Sequence, residues 1–153
     1  MKLVLVWVGR THDSRWRALQ QDYLARLEKF VPVEIVAVKE SGGDSSPAAR
    51  QREGRLLEKK IPDASTVVAL DEQGNEFSSR SFASFLEKLQ VRGTRAVTFL
   101  VGGPSGLPDS LRQRADHVLA LSQMTWGHEA VRVLLLEQLY RAFTIIRGHP
   151  YHK

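Results

Sequence analysis

The chain has 153 residues, 42% hydrophobic and 25% charged, the proportions of one ordinary globular domain with its own core. It has no cysteine, which excludes disulfides, thiol catalysis and Cys-type zinc sites and suits a cytoplasmic setting. The net charge of +5 is a modest lean toward an anionic partner, and no apolar run approaches the roughly 20 residues of a membrane span.

"KLVLVWV" at the start is β-branched and aromatic, stops at Gly9 and has no small-residue cleavage site after it, so it reads as a first strand and not a signal peptide. Ser14 is placed to cap a helix to about Phe30, with Trp16, Leu19, Tyr23 and Leu27 at helical spacing. "VEIVAVK" is a second strand, and the glycine loop "ESGGDSSP" leads to Pro47 in the first turn of a charged helix ending near Lys60. "STVVALD" is a third strand running into a turn, "DEQGN". Ser78 or Ser79 then opens a helix with Phe82, Phe85, Leu86 and Leu89 on one face. "RAVTFLV" is a fourth strand, followed by a short helix over about Pro108–Arg114, a fifth strand "HVLALS", a loop "QMTWG" and a last helix from His128 to about Arg147.

Strands alternating with helices predict a single α/β domain over 1–153, a parallel sheet with helices on both faces. Ligands of such sheets bind beyond the carboxyl ends of the strands, which singles out the loops after Leu70, Val101 and Ser122. The last helix is apolar around most of its circumference, from Val131 through Leu135 and Leu139 to Ile146. Such a helix is buried, either against a second subunit or as the core helix of a monomer.

Familiar nucleotide and metal signatures are missing. The loop "GGPSGLPDS" has no P-loop Lys, "VGRTHDSR" lacks the GxGxxG fingerprint, and "HEAVR" has Arg132 where a zincin helix needs its second His. Pro104 and Pro108 remove two N–H donors, leaving a stiff loop poorly suited to phosphate. Such a loop suits a ligand recognised by shape and backbone contact, an adenosine or methionine-like group.

The segments "MKLVLVWVG", "ALDEQG", "GGPSGL", "LSQMTW", "VRVLLLEQLYRAF" and "HPYHK" together resemble the SPOUT-class RNA methyltransferases across the whole chain. Within that class the chain is similar to the small enzymes that methylate N3 of a pseudouridine in large-subunit (23S) ribosomal RNA. The resemblance implies a C-terminal trefoil knot, a ligand-binding part over about 66–153, and S-adenosylmethionine as methyl donor with no metal. It implies donor contacts at Leu70, Gly102, Gly103, Leu121, Ser122, Gln123, Met124, Thr125 and Trp126, with Gly103 and Gly106 shaping the loop. It also implies a cytoplasmic homodimer with composite active sites, acting on ribosomal RNA in the large subunit or the assembled ribosome. One departure is Gly127, where that family carries proline before the His.

The resemblance places the tail at the active site, where Tyr151 can stack on a base and His152 and Lys153 can meet phosphate. The catalytic set it implies is His152, Tyr151, His128 and Arg132, with His152 and His128 both open as the general base. Two other readings fit the residues: a non-catalytic RNA- or ribosome-associated module of the same fold, and an adenosine-binding enzyme with a small-molecule substrate.

Overall fold

The structure, a computed structural model, describes all residues 1–153. Five parallel strands, β1 (Lys2–Val8), β2 (Val33–Val38), β3 (Ser65–Glu76), β4 (Ala96–Val101) and β5 (His117–Ala120), form one sheet in the order β2-β1-β4-β3-β5. Five helices connect and cover it: α1 (Ser14–Leu27), α2 (Pro47–Glu58), α3 (Ser79–Val91), α4 (Asp109–Arg114) and α5 (His128–Ile146).

The two faces carry separate cores because adjacent strand residues point to opposite sides. Leu3, Leu5, Trp7, Val97 and Phe99 face α1, α3 and α5, where they meet Leu27, Leu86, Leu136 and Phe143. Val4, Val6, Val8, Ala69 and Leu100 face α2 and α4, where they meet Leu57, Leu107 and Leu111. The close approach of α2 to the start of α4 needs Gly54, since a Cβ there would stand 2.4 Å from Pro108 Cγ.

Several boundaries differ from the sequence expectation. Asp13, not Ser14, caps α1, accepting from Arg15 N–H at 2.8 Å, and the helix stops at Leu27. The next two helix starts are as expected, with Pro47 in the first turn of α2 behind the cap Ser46, and Ser78 capping α3. The expected turn "DEQGN" lies inside β3. Leu70 and Asn75 both align with Leu119 across an irregularity, so residues 71–74 bulge while Asn75 and Glu76 resume pairing with β5. Gly74 is required there by close approach, as a Cβ would stand 2.7 Å from the Val118 backbone.

Val133, Leu135, Leu136, Leu139 and Phe143 are buried within the chain's own core, because α5 lies on the same sheet face as α1 and α3 and packs against both. The helix is apolar nearly all round because its own chain nearly surrounds it.

Candidate active site

Beyond the carboxyl ends of β3, β4 and β5, three loops enclose a cleft of about 430 Å³. The β3 bulge contributes Leu70, Asp71, Glu72 and Gln73, and the loop after β4 contributes Gly102 to Leu107. The third wall is Leu121, Ser122, Met124, Thr125 and Trp126, with His128 and Val131 at the start of α5. These are the three loops expected from the sheet alone.

The glycine loop folds tightly upon itself. A Cβ on Gly102 would stand 2.5 Å from the Gly106 carbonyl carbon, and Gly106 N–H donates to Gly103 O at 2.9 Å. Gly106 has φ +75°, a conformation glycine adopts at little cost. Gly103 packs on Val8, where a Cβ would stand 3.1 Å from the valine Cγ1. The result is a wall of backbone, with Pro104 within it and Pro108 just after it.

Ser122 organises the third wall. Its hydroxyl accepts from Met124 N–H at 3.0 Å and from the Trp126 indole at 2.9 Å. Thr125 donates to Glu72, tying this wall to the β3 bulge. Gln123 turns away from the cleft and reaches Glu76 at 3.4 Å. Met124 and Trp126 stand 72% and 45% exposed, apolar groups held open at the rim.

Five charged or titratable side chains line the cleft: Asp71, Glu72, Arg50, Arg112 and His128. Arg112 bonds Asp71 at 2.9 Å and also pairs with Asp109, and the two carboxylates raise its guanidinium pKa above the ordinary value. No group of three His, Cys, Asp or Glu is placed to hold a metal ion.

Other candidates lie elsewhere in the chain. Arg132 is fully buried one helical turn after His128, over the Trp7 ring at 5.2 Å, donating to Thr11 Oγ1 at 2.9 Å and to the Val8 carbonyl. Burial pushes its guanidinium pKa down. Next to it, Glu129 accepts from the N–H groups of His12 and Asp13, so "HEAVR" fastens α5 to the β1–α1 loop. Neither role is visible in the sequence.

The tail is folded back along α5. Tyr151 donates to Glu137 Oε1 at 3.1 Å and lies edge-on to Tyr140, with ring centroids 4.7 Å apart. The Arg141 guanidinium stands 4.7 Å from the Tyr151 ring and 3.3 Å from His152 Nδ1. Burial first, then hydrogen bonding with Tyr23 and the Glu137 carboxylate, push the Tyr151 phenol above its ordinary range. The Glu137–Arg141 pair, an ordinary (i, i+4) bridge in sequence terms, is the anchor of the tail.

The sequence model of the family described as "Predicted SPOUT methyltransferase" matches residues 1–152. The chain belongs to the SPOUT methyltransferase family. Two relatives named "Ribosomal RNA large subunit methyltransferase H" match this SPOUT methyltransferase over nearly its whole length. That of Geobacter metallireducens is 43% identical over 152 residues, and that of Syntrophotalea carbinolica 45% over 154, each match covering 99% of both chains. The fold is also that of a probable methyltransferase from Bordetella pertussis Tohama I, with TM-score 0.59 and 13% identity, over 93% of this chain and 96% of that one. A probable methylase family protein from Haemophilus influenzae Rd KW20 aligns with TM-score 0.57 and 13% identity, over 99% of this chain and 70% of that one.

Proposed function

We propose that this SPOUT methyltransferase transfers a methyl group from S-adenosylmethionine to N3 of a pseudouridine in 23S ribosomal RNA, acting in the cytoplasm as a homodimer. The observation that carries the donor assignment is the character of the cleft. Its volume, about 430 Å³, suits a nucleoside-sized ligand. Its walls are mostly backbone and apolar groups, with the Asp71–Arg112 ion pair, Glu72, Arg50 and His128 among them. A phosphate-free ligand held by shape and backbone contact fits such a lining, and S-adenosylmethionine is of that kind. Leu70, Gly102, Gly103, Leu121, Ser122, Met124, Thr125 and Trp126 would hold it, and when bound it supplies an electrophilic methyl group.

The RNA assignment is supported by the printed name of the relatives, which are large-subunit ribosomal RNA methyltransferases. Family membership supports the trefoil knot and a ligand-binding part over about 66–153.

The tail supports the dimer. Within one chain it is anchored at Glu137, roughly two and a half turns or about 13 Å along α5 from His128 on the cleft wall. A tail that meets the target base at a cleft therefore serves the cleft of a second protomer. His128 lines its own cleft, whereas Tyr151 and His152 come from the partner. Arg132 holds α5 against β1 and acts through position, not contact.

Catalysis in this reading is chiefly alignment of the base nitrogen with the methyl carbon. Calorimetry with S-adenosylmethionine tests the donor site, and absence of binding removes the enzyme reading in favour of a non-catalytic module. Mass spectrometry of 23S ribosomal RNA from a deletion strain tests the acceptor: the reading requires loss of one methyl from a pseudouridine.

A further inference from the structure

His152 is the obvious candidate to take the N3 proton, yet its surroundings give it the opposite role. Arg141 Nη1 stands 3.3 Å from His152 Nδ1. A guanidinium has five donors and no acceptor, and it stays protonated in proteins. The contact is a hydrogen bond only if Nδ1 presents its lone pair. In the neutral ring the single proton then sits on Nε2. Arg141 is itself fixed, paired with Glu137 at 2.5 Å and set against the Tyr151 ring. The groups around the imidazole are thus Arg141 and Glu137 of α5, Tyr151 beside it in the tail, and Tyr23 of α1 against that phenol.

We infer that His152 acts as an N–H donor from Nε2 to a carbonyl oxygen of the target base, and not as the general base, with Arg141 as the residue that fixes its tautomer.

The chemistry of the acceptor fits this role. N3 of a pseudouridine lies between two ring carbonyls, and as the N3–H proton departs to solvent water or hydroxide, negative charge spreads onto those oxygens. A donor aimed at one of them stabilises that charge, as donors in an oxyanion hole do. The N3 lone pair then forms the new N–CH3 bond while the donor's S–CH3 bond breaks, its electron pair remaining on sulfur as a neutral thioether. The proton balance needs no side-chain base.

This inference rests on the proposed function, and two measurements keep the two separable. The first reads the tautomer without substrate: long-range 1H–15N NMR of the full-length protein, with the His152 signal assigned by its loss in His152→Gln. The expected pattern is a protonated Nε2 and an unprotonated Nδ1 that shifts when Arg141 is replaced by Leu. An Nδ1–H tautomer, or a ring indifferent to Arg141, overturns the inference.

The second is methyl transfer to ribosomes lacking the modification. Gln supplies an amide N–H near the Nε2 position but no basic nitrogen. His152→Ala should lose about 10²–10³-fold, the cost of one such donor, and His152→Gln should recover to within about tenfold of wild type. The wild-type pH profile should carry no acidic limb that His152→Gln removes. Equal losses in both variants, with an acidic limb of the wild-type profile that vanishes in both, would establish His152 as the base. Full activity in His152→Ala, or after deletion of residues 151–153, would instead bring down the tail's role in the proposed function itself.

Discussion

The Tyr151 hydroxyl donates to Glu137 Oε1 across 3.1 Å, so the third residue from the chain's end is fixed to the middle of α5. The bond orders a tail that would otherwise fray. Its pH dependence follows from the raised Tyr151 pKa. A phenol whose folded pKa lies above its unfolded value of about 10 stabilises docking fully below that pH, and the contribution is lost as pH rises through the folded pKa. The tail should therefore stay docked across the neutral range and release only in strong alkali. A tyrosinate titration should show a step above the ordinary phenol range that Tyr151→Phe removes; the same titration curve less an ordinary phenol would contradict the contact.

Gly102 has no room for a side chain. A Cβ there meets the Gly106 backbone at 2.5 Å, so even alanine must displace the loop that lines the cleft. Gly102→Val should abolish S-adenosylmethionine binding by calorimetry while the protein keeps a cooperative unfolding transition. Unchanged affinity would take this loop out of the donor site.

Arg132 separates a structural from a catalytic role. Its guanidinium bonds Thr11 and the Val8 carbonyl with no exposure to solvent. Arg132→Met leaves that carbonyl unsatisfied and should cost about 1.5–3 kcal/mol in urea unfolding. Arg132→Lys should recover little, because a point ammonium cannot reproduce the forked geometry. A variant of wild-type stability that binds donor but transfers no methyl would restore Arg132 to the catalytic set.

Gly127 sits just ahead of α5 with φ −57°, inside proline's range, and a Cβ there would meet nothing within 4 Å. Gly127→Pro should raise stability by about 0.4–1 kcal/mol through the unfolded state. By stiffening the Met124–Trp126 wall it should also tighten donor binding. A lower melting temperature would show that the loop needs glycine's freedom.

The strands and the cleft were legible in the sequence because burial on both faces leaves a clear mark. "KLVLVWV" and "AVTFLV" are apolar nearly throughout since both sit inside the sheet. Loops leaving β3, β4 and β5 at one edge had to converge, and they do. What escaped depends on partners distant in sequence. "DEQGN" has turn composition, yet Asn75 and Glu76 pair with β5, contacts that no local pattern encodes. Arg132 carries no local sign of burial, because its partners lie more than 120 residues away. The spacing of Glu137 and Arg141 shows only a helix ion pair, because the tail that covers them comes after the helix. The resemblance named the cleft residues, but not the contacts by which Ser122 and Glu72 hold the third wall together.

In the proposed dimer each active site takes its cleft from one protomer and its tail from the other. The most direct test mixes two inactive proteins, Gly102→Val with its tail intact and a chain lacking residues 151–153 with its cleft intact, under conditions that allow subunits to exchange. In a mixed two-fold dimer, the intact cleft of the truncated chain faces the intact tail of the other. Random exchange makes about half the dimers mixed with one working site in each, so methyl transfer should return to about a quarter of the wild-type level. No activity in a mixture shown by mass spectrometry to contain mixed dimers would mean that the tail serves its own cleft, or none, and would contradict the account.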